Sequence, residues 1–120
     1  MASPASSQTA LDAHRIVQLL LDAPALQAYY HFKERPERVP LPIVNASGVD
    51  VGTAGWTAAG KPAVQAQTRT DKSLVIESLS FAGDTAVVTF SFPVEGVIGE
   101  GRFRRQAGAW TTDAVRAAER

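Results

Sequence analysis

The C-terminal half of the chain alternates apolar and polar residues over short runs that are separated by turns. In the clearest run, residues 85–92, every second residue is Ala, Val or Phe, and those between are Thr, Ser or Val. Side chains of a strand point alternately to its two faces, so this pattern predicts a strand with one buried face. The same signals predict strands at about 63–70, 74–81, 85–92, 97–106 and 109–115. Because the last three turns are short, we expect these strands to pair antiparallel as a meander.

The N-terminal part of the chain has helical periodicity instead. Its apolar residues repeat at helical spacing and predict one buried helix face, formed by Ala13, Ile16, Val17 and Leu20. The pattern begins at about Thr9, and residues 1–8 are predicted to be a disordered lead. Asp22 can cap a second helix that has Pro24 in its first turn. We expect that helix to end near Phe32. His14 falls opposite the apolar face and is predicted to be a solvated residue.

Residues 33–62 are rich in proline and glycine. The charged stretch 33–38 predicts a connector. Pro40 and Pro42 predict an extended segment over 39–44, either an edge strand or a polyproline-like strip, because proline lacks the N–H that a central strand must donate. Residues 45–62 are predicted to be loop or one weak short strand.

Helices followed by a meander predict the α+β class. We expect an N-terminal helix or helix pair packed on a curved antiparallel sheet, in a single domain over residues 9–120.

Composition excludes several classes of function. Twelve Lys and Arg balance twelve Asp and Glu, which removes the broad positive field of a nucleic-acid-binding protein. The chain has no cysteine and two histidines, so we expect no metal site and no cofactor. The longest dense apolar run, residues 16–21, is too short to span a bilayer, and no membrane insertion is expected.

The stretch "GWTAAGKP", residues 55–62, matches a phosphate-binding loop up to Lys61 and then has Pro62 where Ser or Thr is required. A strand-like pattern follows it, whereas a phosphate loop needs a helix. We therefore interpret it as a hairpin or connecting loop that carries an aromatic residue. Trp56 in this loop either plugs the core or lines a ligand opening, and it is a candidate binding residue.

The stretch "YYHF", residues 29–32, places Tyr30 and His31 at a predicted helix end. Histidine can transfer protons near neutral pH, so these two residues are candidate acid–base groups, and His31 is also a candidate binding residue. The acid–base hypothesis requires His31 to lie in a cleft, within about 3.2 Å of a partner such as a carboxylate. The alternative is structural, since a histidine in the last helical turn interacts favourably with the helix dipole.

The predicted strand 97–106 carries Arg102 and Arg104, which must point to the same face. They are candidate binding residues for a carboxylate or a phosphate. The alternative is a solvated sheet face that discourages edge pairing. Gly99 and Gly101 on this strand predict a bend or a bulge.

Two short phrases stand in the C-terminal strands. Gly83, Asp84, Ala86 and Val88 give G-D-x-A-x-V, and Arg105, Gly108 and Trp110 give R-x-x-G-x-W. Both phrases resemble the sheet of the nuclear transport factor 2-like and cystatin-like folds. The resemblance implies a cone between helix and sheet, in families that include isomerases, dehydratases and non-catalytic exported binding domains. The segment 33–62 departs from that pattern, and a fold alone does not define a function.

Three functions are therefore expected, in this order. The first is a small non-catalytic domain that binds a protein partner or a small ligand, of which an inhibitor or immunity-type protein is one form. The second is a cofactor-free isomerase, dehydratase or hydrolase-like enzyme with an acid–base group in the cone. The third is a module that dimerises through its sheet. The composition of residues 1–10 resembles the region after a signal-peptide cleavage site, which gives the hypothesis of a periplasmic or secreted bacterial protein, with a cytoplasmic location as the alternative.

Overall fold

The computed structural model describes the backbone of residues 4–119 and the side chains of residues 8–119. The helices are α1 (Pro4–Asp22) and α2 (Pro24–Gln27). The strands are β1 (Leu41–Asn45), β2 (Trp56–Ala58), β3 (Lys61–Gln65), β4 (Leu74–Ala82), β5 (Thr85–Phe92), β6 (Val97–Gln106) and β7 (Ala109–Glu119). Short 3₁₀ turns lie at Pro36–Arg38 and Pro93–Glu95. The fold is α+β, with the N-terminal helix packed on a curled, mixed, seven-stranded sheet of order β2-β3-β1-β4-β5-β6-β7.

The predicted C-terminal meander is confirmed. Strands β4 to β7 pair antiparallel with their neighbours in chain order. Strand β5 covers the predicted range 85–92, and β7 continues to Glu119, past its predicted end at 115. Alternation and turn chemistry are local signals, and in this region they agree with the tertiary pairing.

Two predictions for the middle of the chain are wrong. The segment containing Pro40 and Pro42 is no edge strand, because β1 lies inside the sheet and runs parallel to both β3 and β4. The pairing with β4 begins only at Ile43, so Pro42 lies at the beginning of that ladder, where a missing N–H is tolerated. The strand predicted over 63–70 ends at Gln65, and its chain then crosses to β4.

The helices also differ from their predicted bounds. Helix α1 begins at Pro4, inside the predicted disordered lead, which corrects the predicted start at Thr9. Proline suits a first helical turn, and the Ala and Ser residues that follow it are compatible with a helix. The rest of the predicted lead, residues 1–3, lies outside the described residues. The predicted second helix is confirmed and begins at Pro24, but α2 ends at Gln27 and does not reach Phe32.

The space between α1 and the sheet is filled with apolar side chains. On the helix, Ile16, Val17, Leu20 and Leu21 are fully buried. On the inner face of the sheet they face a layer of large residues that are at most 2 % exposed, among them Ile76, Val88, Phe90, Phe92 and Phe103. Helix α1 also contacts both edge strands, β2 and β7. The curled sheet therefore closes around the helix, and the cone implied by the resemblance is occupied by core.

Gly99 of β6 lies where its neighbours approach the backbone closely. A Cβ on Gly99 would lie 2.3 Å from the carbonyl oxygen of Arg116 and 2.3 Å from Cζ of Phe90. Only the hydrogen of a glycine fits in this space. Gly99 therefore allows the backbone of β7 and the ring of Phe90 to lie close to β6. The pairing of β6 with β7 shifts register between Arg102 and Phe103, where Asp113 is the extra residue on β7, so this irregularity lies beyond the predicted positions Gly99 and Gly101.

Tyr30 joins the end of the helical region to the core. Its hydroxyl donates a hydrogen bond to the carbonyl oxygen of Leu21 at 2.8 Å. Its ring stacks on Phe32 at 5.0 Å and meets Phe92 edge-on at 6.3 Å between ring centroids. Burial, with a smaller contribution from the Asp22 carboxylate, raises the pKa of Tyr30 well above its ordinary value.

This burial makes a prediction for alkaline stability. Above pH about 10 the unfolded chain loses the Tyr30 proton while the folded protein retains it, so the free energy of unfolding falls as pH rises. The melting temperature of Tyr30→Phe should therefore decline less between about pH 10 and 12 than that of the wild type. At neutral pH the variant should lose about 1 kcal/mol, because the Leu21 carbonyl loses its donor. Tyr29→Phe is the matched control, and equal alkaline slopes for Tyr30→Phe and wild type would contradict the prediction.

Candidate functional site

His31 forms a cluster with Glu95 and Arg38. Nε2 of His31 lies 3.1 Å from Oε1 of Glu95, and Nη2 of Arg38 lies 3.1 Å from Oε2 of the same carboxylate. Arg38, whose side chain is 9 % exposed, also donates to the backbone carbonyls of Tyr29 and Tyr30 at 3.3 and 3.1 Å. The cluster thus fastens the segment after α2 to the turn between β5 and β6.

The acid–base hypothesis meets one of its two requirements at this cluster. The carboxylate of Glu95 lies within the required distance of His31. The imidazole, however, is 45 % exposed and lines an open depression, so water has access to it. Tyr30 does not join His31 as an acid–base group, because its hydroxyl is buried and donates to Leu21. The structure therefore separates the two residues that the sequence proposed as a pair.

Trp56 is a core residue. It is 5 % exposed, and its Nε1 donates to the backbone oxygen of His14 at 2.9 Å. The rings of the two residues stack at 4.8 Å between centroids. This placement fits the core-plug alternative rather than a ligand opening.

The stretch "GWTAAGKP" forms the β2–β3 hairpin, as interpreted from the sequence. Its turn residues, Ala59 and Gly60, have φ values of 50° and 79°. Positive φ at both positions is typical of the tight turns that join antiparallel strands. Strand β3 follows directly, so the residues after Lys61 are not a helix.

The prediction of a solvated His14 is wrong. The residue is only partly exposed, and its Nε2 lies 3.2 Å from the carbonyl oxygens of both Ala54 and Gly55. Helical periodicity assigned His14 to the outer face of α1, but the loop before β2 packs over that face. A contact between residues 40 positions apart leaves no local signal in the sequence.

Arg102 and Arg104 point to the same exposed face of β6, as predicted. Nε of Arg102 lies 2.9 Å from Oε1 of Glu100, and Nε of Arg104 lies 3.4 Å from Oδ2 of Asp113. Both arginines therefore already have a carboxylate partner within the chain. This arrangement fits the solvated-face alternative more closely than a free anion site.

The face of β4 to β7 that points away from α1 carries both polar and apolar side chains, and we refer to it as the outer face. The strand register aligns Ser78, Thr89, Glu100 and Arg116 in one cross-strand row. The neighbouring row contains Ser91, Ile98 and Ala118. Paired residues in a sheet point to the same face, so these rows form one continuous surface.

A groove with a cavity volume of about 950 Å³ lies on the outer face. On one side, Glu77 accepts from Arg69 at 3.0 Å and from Ser91 at 2.7 Å. The other side has Ile98, a large apolar residue that is 42 % exposed, beside Arg116. Arg116 forms no ion pair with any carboxylate in residues 8–119. We refer to this feature as the sheet groove.

The sequence interpretation did not single out the residues that define the groove. Ile98 had a usable signal, because it shares its strand face with Arg102 and Arg104 and is apolar where that face is charged. The Arg69–Glu77–Ser91 network had no signal in the sequence, because it joins a loop residue to residues of two different strands.

No family model, no curated protein and no solved structure matches this chain. The likeness to the nuclear transport factor 2-like and cystatin-like folds therefore stays a prediction. No helix within residues 4–119 is long and apolar enough to cross a membrane. In the described part of the chain, His, Asp and Glu residues form no group of three that could hold a metal ion.

Proposed function

We propose that this protein is a non-catalytic binding domain that engages a protein partner through the outer face of its sheet. The observation that carries the proposal is the sheet groove, where exposed Ile98 lies among hydroxyls and charged residues. The filled space between α1 and the sheet supports it, because a buried substrate site of the cone type has no room there. An inhibitor or immunity-type protein remains one form of this function.

The groove resembles a protein interface in composition. Stable interfaces have an apolar centre, a polar rim and more arginine than the remaining surface. Here Ile98 and Ala118 supply the apolar centre, and the rim includes Arg69, Glu77 and Arg116. The ion pair and the serine contact hold Glu77 in place before binding, which lowers the entropy lost when a partner docks.

Arg116 indicates the chemistry of the partner. It is exposed, and the described residues supply no carboxylate within ion-pair distance. Arginine forms planar, two-pronged hydrogen bonds with carboxylates. A partner that presents an apolar side chain next to an Asp or Glu complements Ile98 and Arg116 together.

The acid–base enzyme is the second candidate, and the 3.1 Å contact between His31 and Glu95 favours it. The two functions use different side chains, although the sites meet at the turn between β5 and β6: Pro93 and Gly96 line the groove and Glu95 contacts His31, which does not line it. His31→Gln should therefore leave partner binding unchanged. If His31 acts in catalysis, His31→Gln should abolish turnover while partner binding at the groove persists.

Quantitative affinity capture tests the proposal. The tagged wild type should recover a partner from the cells that produce it, and Ile98→Asp and Arg116→Glu should each reduce its recovery by about tenfold or more, because both remove central contacts. Arg15→Glu, on the exposed side of α1, is the charge-matched control for Arg116→Glu and should retain the partner. Recovery that is equal for all variants would overturn the proposal, and capture of a second copy of the chain would replace it with self-assembly.

A further inference from the structure

A second depression, separate from the sheet groove, lies between the segment after α2 and the β2–β3 hairpin turn. It has a cavity volume of about 510 Å³. Its lining comes from the segment 30–34 and from Ala59 and Lys61 of the hairpin, with Gln27 at the end of α2. We refer to it as the connector depression.

Positive charge dominates this lining. Lys33 and Lys61 are exposed, and neither forms an ion pair with a carboxylate in residues 8–119. Glu34 is the one acidic residue in the lining. The chain as a whole is neutral, so two unpaired ammonium groups in one concavity are a local feature rather than a reflection of overall composition.

His31 adds a third nitrogen group whose position is fixed by its neighbours. Nε2–H donates to Glu95, so Nδ1 is an acceptor in the neutral ring and becomes a second donor only when the ring is doubly protonated. Glu95 is in turn held by Arg38, which two backbone carbonyls anchor. His31 has a φ of 54°, a left-handed conformation that is uncommon for residues other than glycine. The imidazole is thus oriented before any ligand arrives.

The lining of the depression also contains apolar groups. Phe32 stacks on the buried ring of Tyr30 at 5.0 Å between ring centroids, and Ala59 of the hairpin turn is part of the same lining. A ligand that carries a strong negative charge on one part and an apolar or ring-shaped body on the other matches this combination.

We propose that the connector depression binds a small phosphate monoester. Lys33 and Lys61 contact the phosphate, doubly protonated His31 adds an Nδ1–H donor, and Phe32 packs against the organic part. Lysine ammonium groups serve as point-charge partners for phosphate, and a monoester carries nearly two negative charges at neutral pH. The proposal is independent of partner binding at the sheet groove.

Phenyl phosphate is the probe, and amide chemical shifts of the ¹⁵N-labelled protein are the measurement. Saturable shifts should occur at residues 31–34 and 59–61, and inorganic phosphate should bind the same residues more weakly because it lacks the ring. The double variant Lys33→Glu, Lys61→Glu should weaken binding by about tenfold or more, since two charge-assisted contacts become repulsive. The double variant Arg15→Glu, Lys72→Glu changes net charge equally at exposed positions elsewhere and should bind phenyl phosphate as the wild type does.

Three results would overturn the proposal. One is the absence of saturable shifts below about 10 mM phenyl phosphate. An affinity that weak would require no more than nonspecific contact with solvent-exposed lysines. Another is an equal loss of affinity in the two double variants, which would indicate attraction by net charge alone. The third is binding of benzoate as tightly as phenyl phosphate, which would assign the site to carboxylates. The amide spectra of both double variants report directly whether each is folded.

Discussion

Leu20→Ala is expected to lower the free energy of unfolding by about 2 to 5 kcal/mol, the range for removing a fully buried leucine from a tightly packed core. Leu20 is 0 % exposed, and its Cδ1 would lie 3.3 Å from a Cβ built on Gly101 of β6. The side chain therefore bridges α1 and the sheet at the place where the predicted resemblance implied a cone. Chemical denaturation monitored by tryptophan fluorescence provides the measurement.

Leu11→Ala is the matched control for this prediction. Leu11 lies on the same helix and is 67 % exposed, so the identical chemical change should alter stability by no more than about 0.5 kcal/mol. A loss below about 1 kcal/mol for Leu20→Ala would contradict the account, because it would mean that the space between helix and sheet is loosely filled. The acid–base enzyme would then regain the interior site that it requires.

Gly99→Ala is expected to destabilise the protein by about 3 kcal/mol, at the upper end of the range for overpacking a core. The added Cβ would meet the Arg116 carbonyl oxygen and the Phe90 ring, both at 2.3 Å. The ring can move, but the oxygen belongs to the backbone of β7 and moves only with its strand. The loss should appear as a lower denaturation midpoint with an unchanged slope.

Gly101→Ala provides the comparison on the same strand. Its Cβ would meet only side chains, with the Phe103 ring at 2.8 Å and Leu20 Cδ1 at 3.3 Å. These groups can shift, so the expected loss is smaller, about 1 kcal/mol. Equal losses in the two variants would show that the close approach of β7 does not require glycine at position 99.

Local patterns in the sequence predicted the parts of the fold that depend on neighbouring residues. The alternation in 85–92 and the short turns around it were enough for β4 to β7. Pro40 and Pro42 predict an edge strand or a polyproline-like strip at β1, but the pairing with β4 begins only at Ile43, after both prolines. The position of a strand within a mixed sheet depends on long-range pairing, which a single sequence does not display.

In the candidate sites, too, the sequence predicted local features but not long-range contacts. The shared face of Arg102 and Arg104 followed from strand periodicity, whereas their ion pairs with Glu100 and Asp113 required the structure. His31 was singled out by its residue type, but Glu95, its partner, lies in a turn after β5. Glu95 also binds Arg38 from 57 positions away, and no spacing rule connects such residues.

Site-specific photocrosslinking tests the central claim most directly. A photoreactive phenylalanine derivative is placed at Ile98 in the sheet groove and, in a separate sample, at Leu11 on α1, which is also exposed. Irradiation of cells that produce the protein should give one discrete crosslinked partner from position 98 and none from position 11. The same partner crosslinked equally from both positions, or no partner from position 98, would contradict the assignment of the outer face as the binding surface.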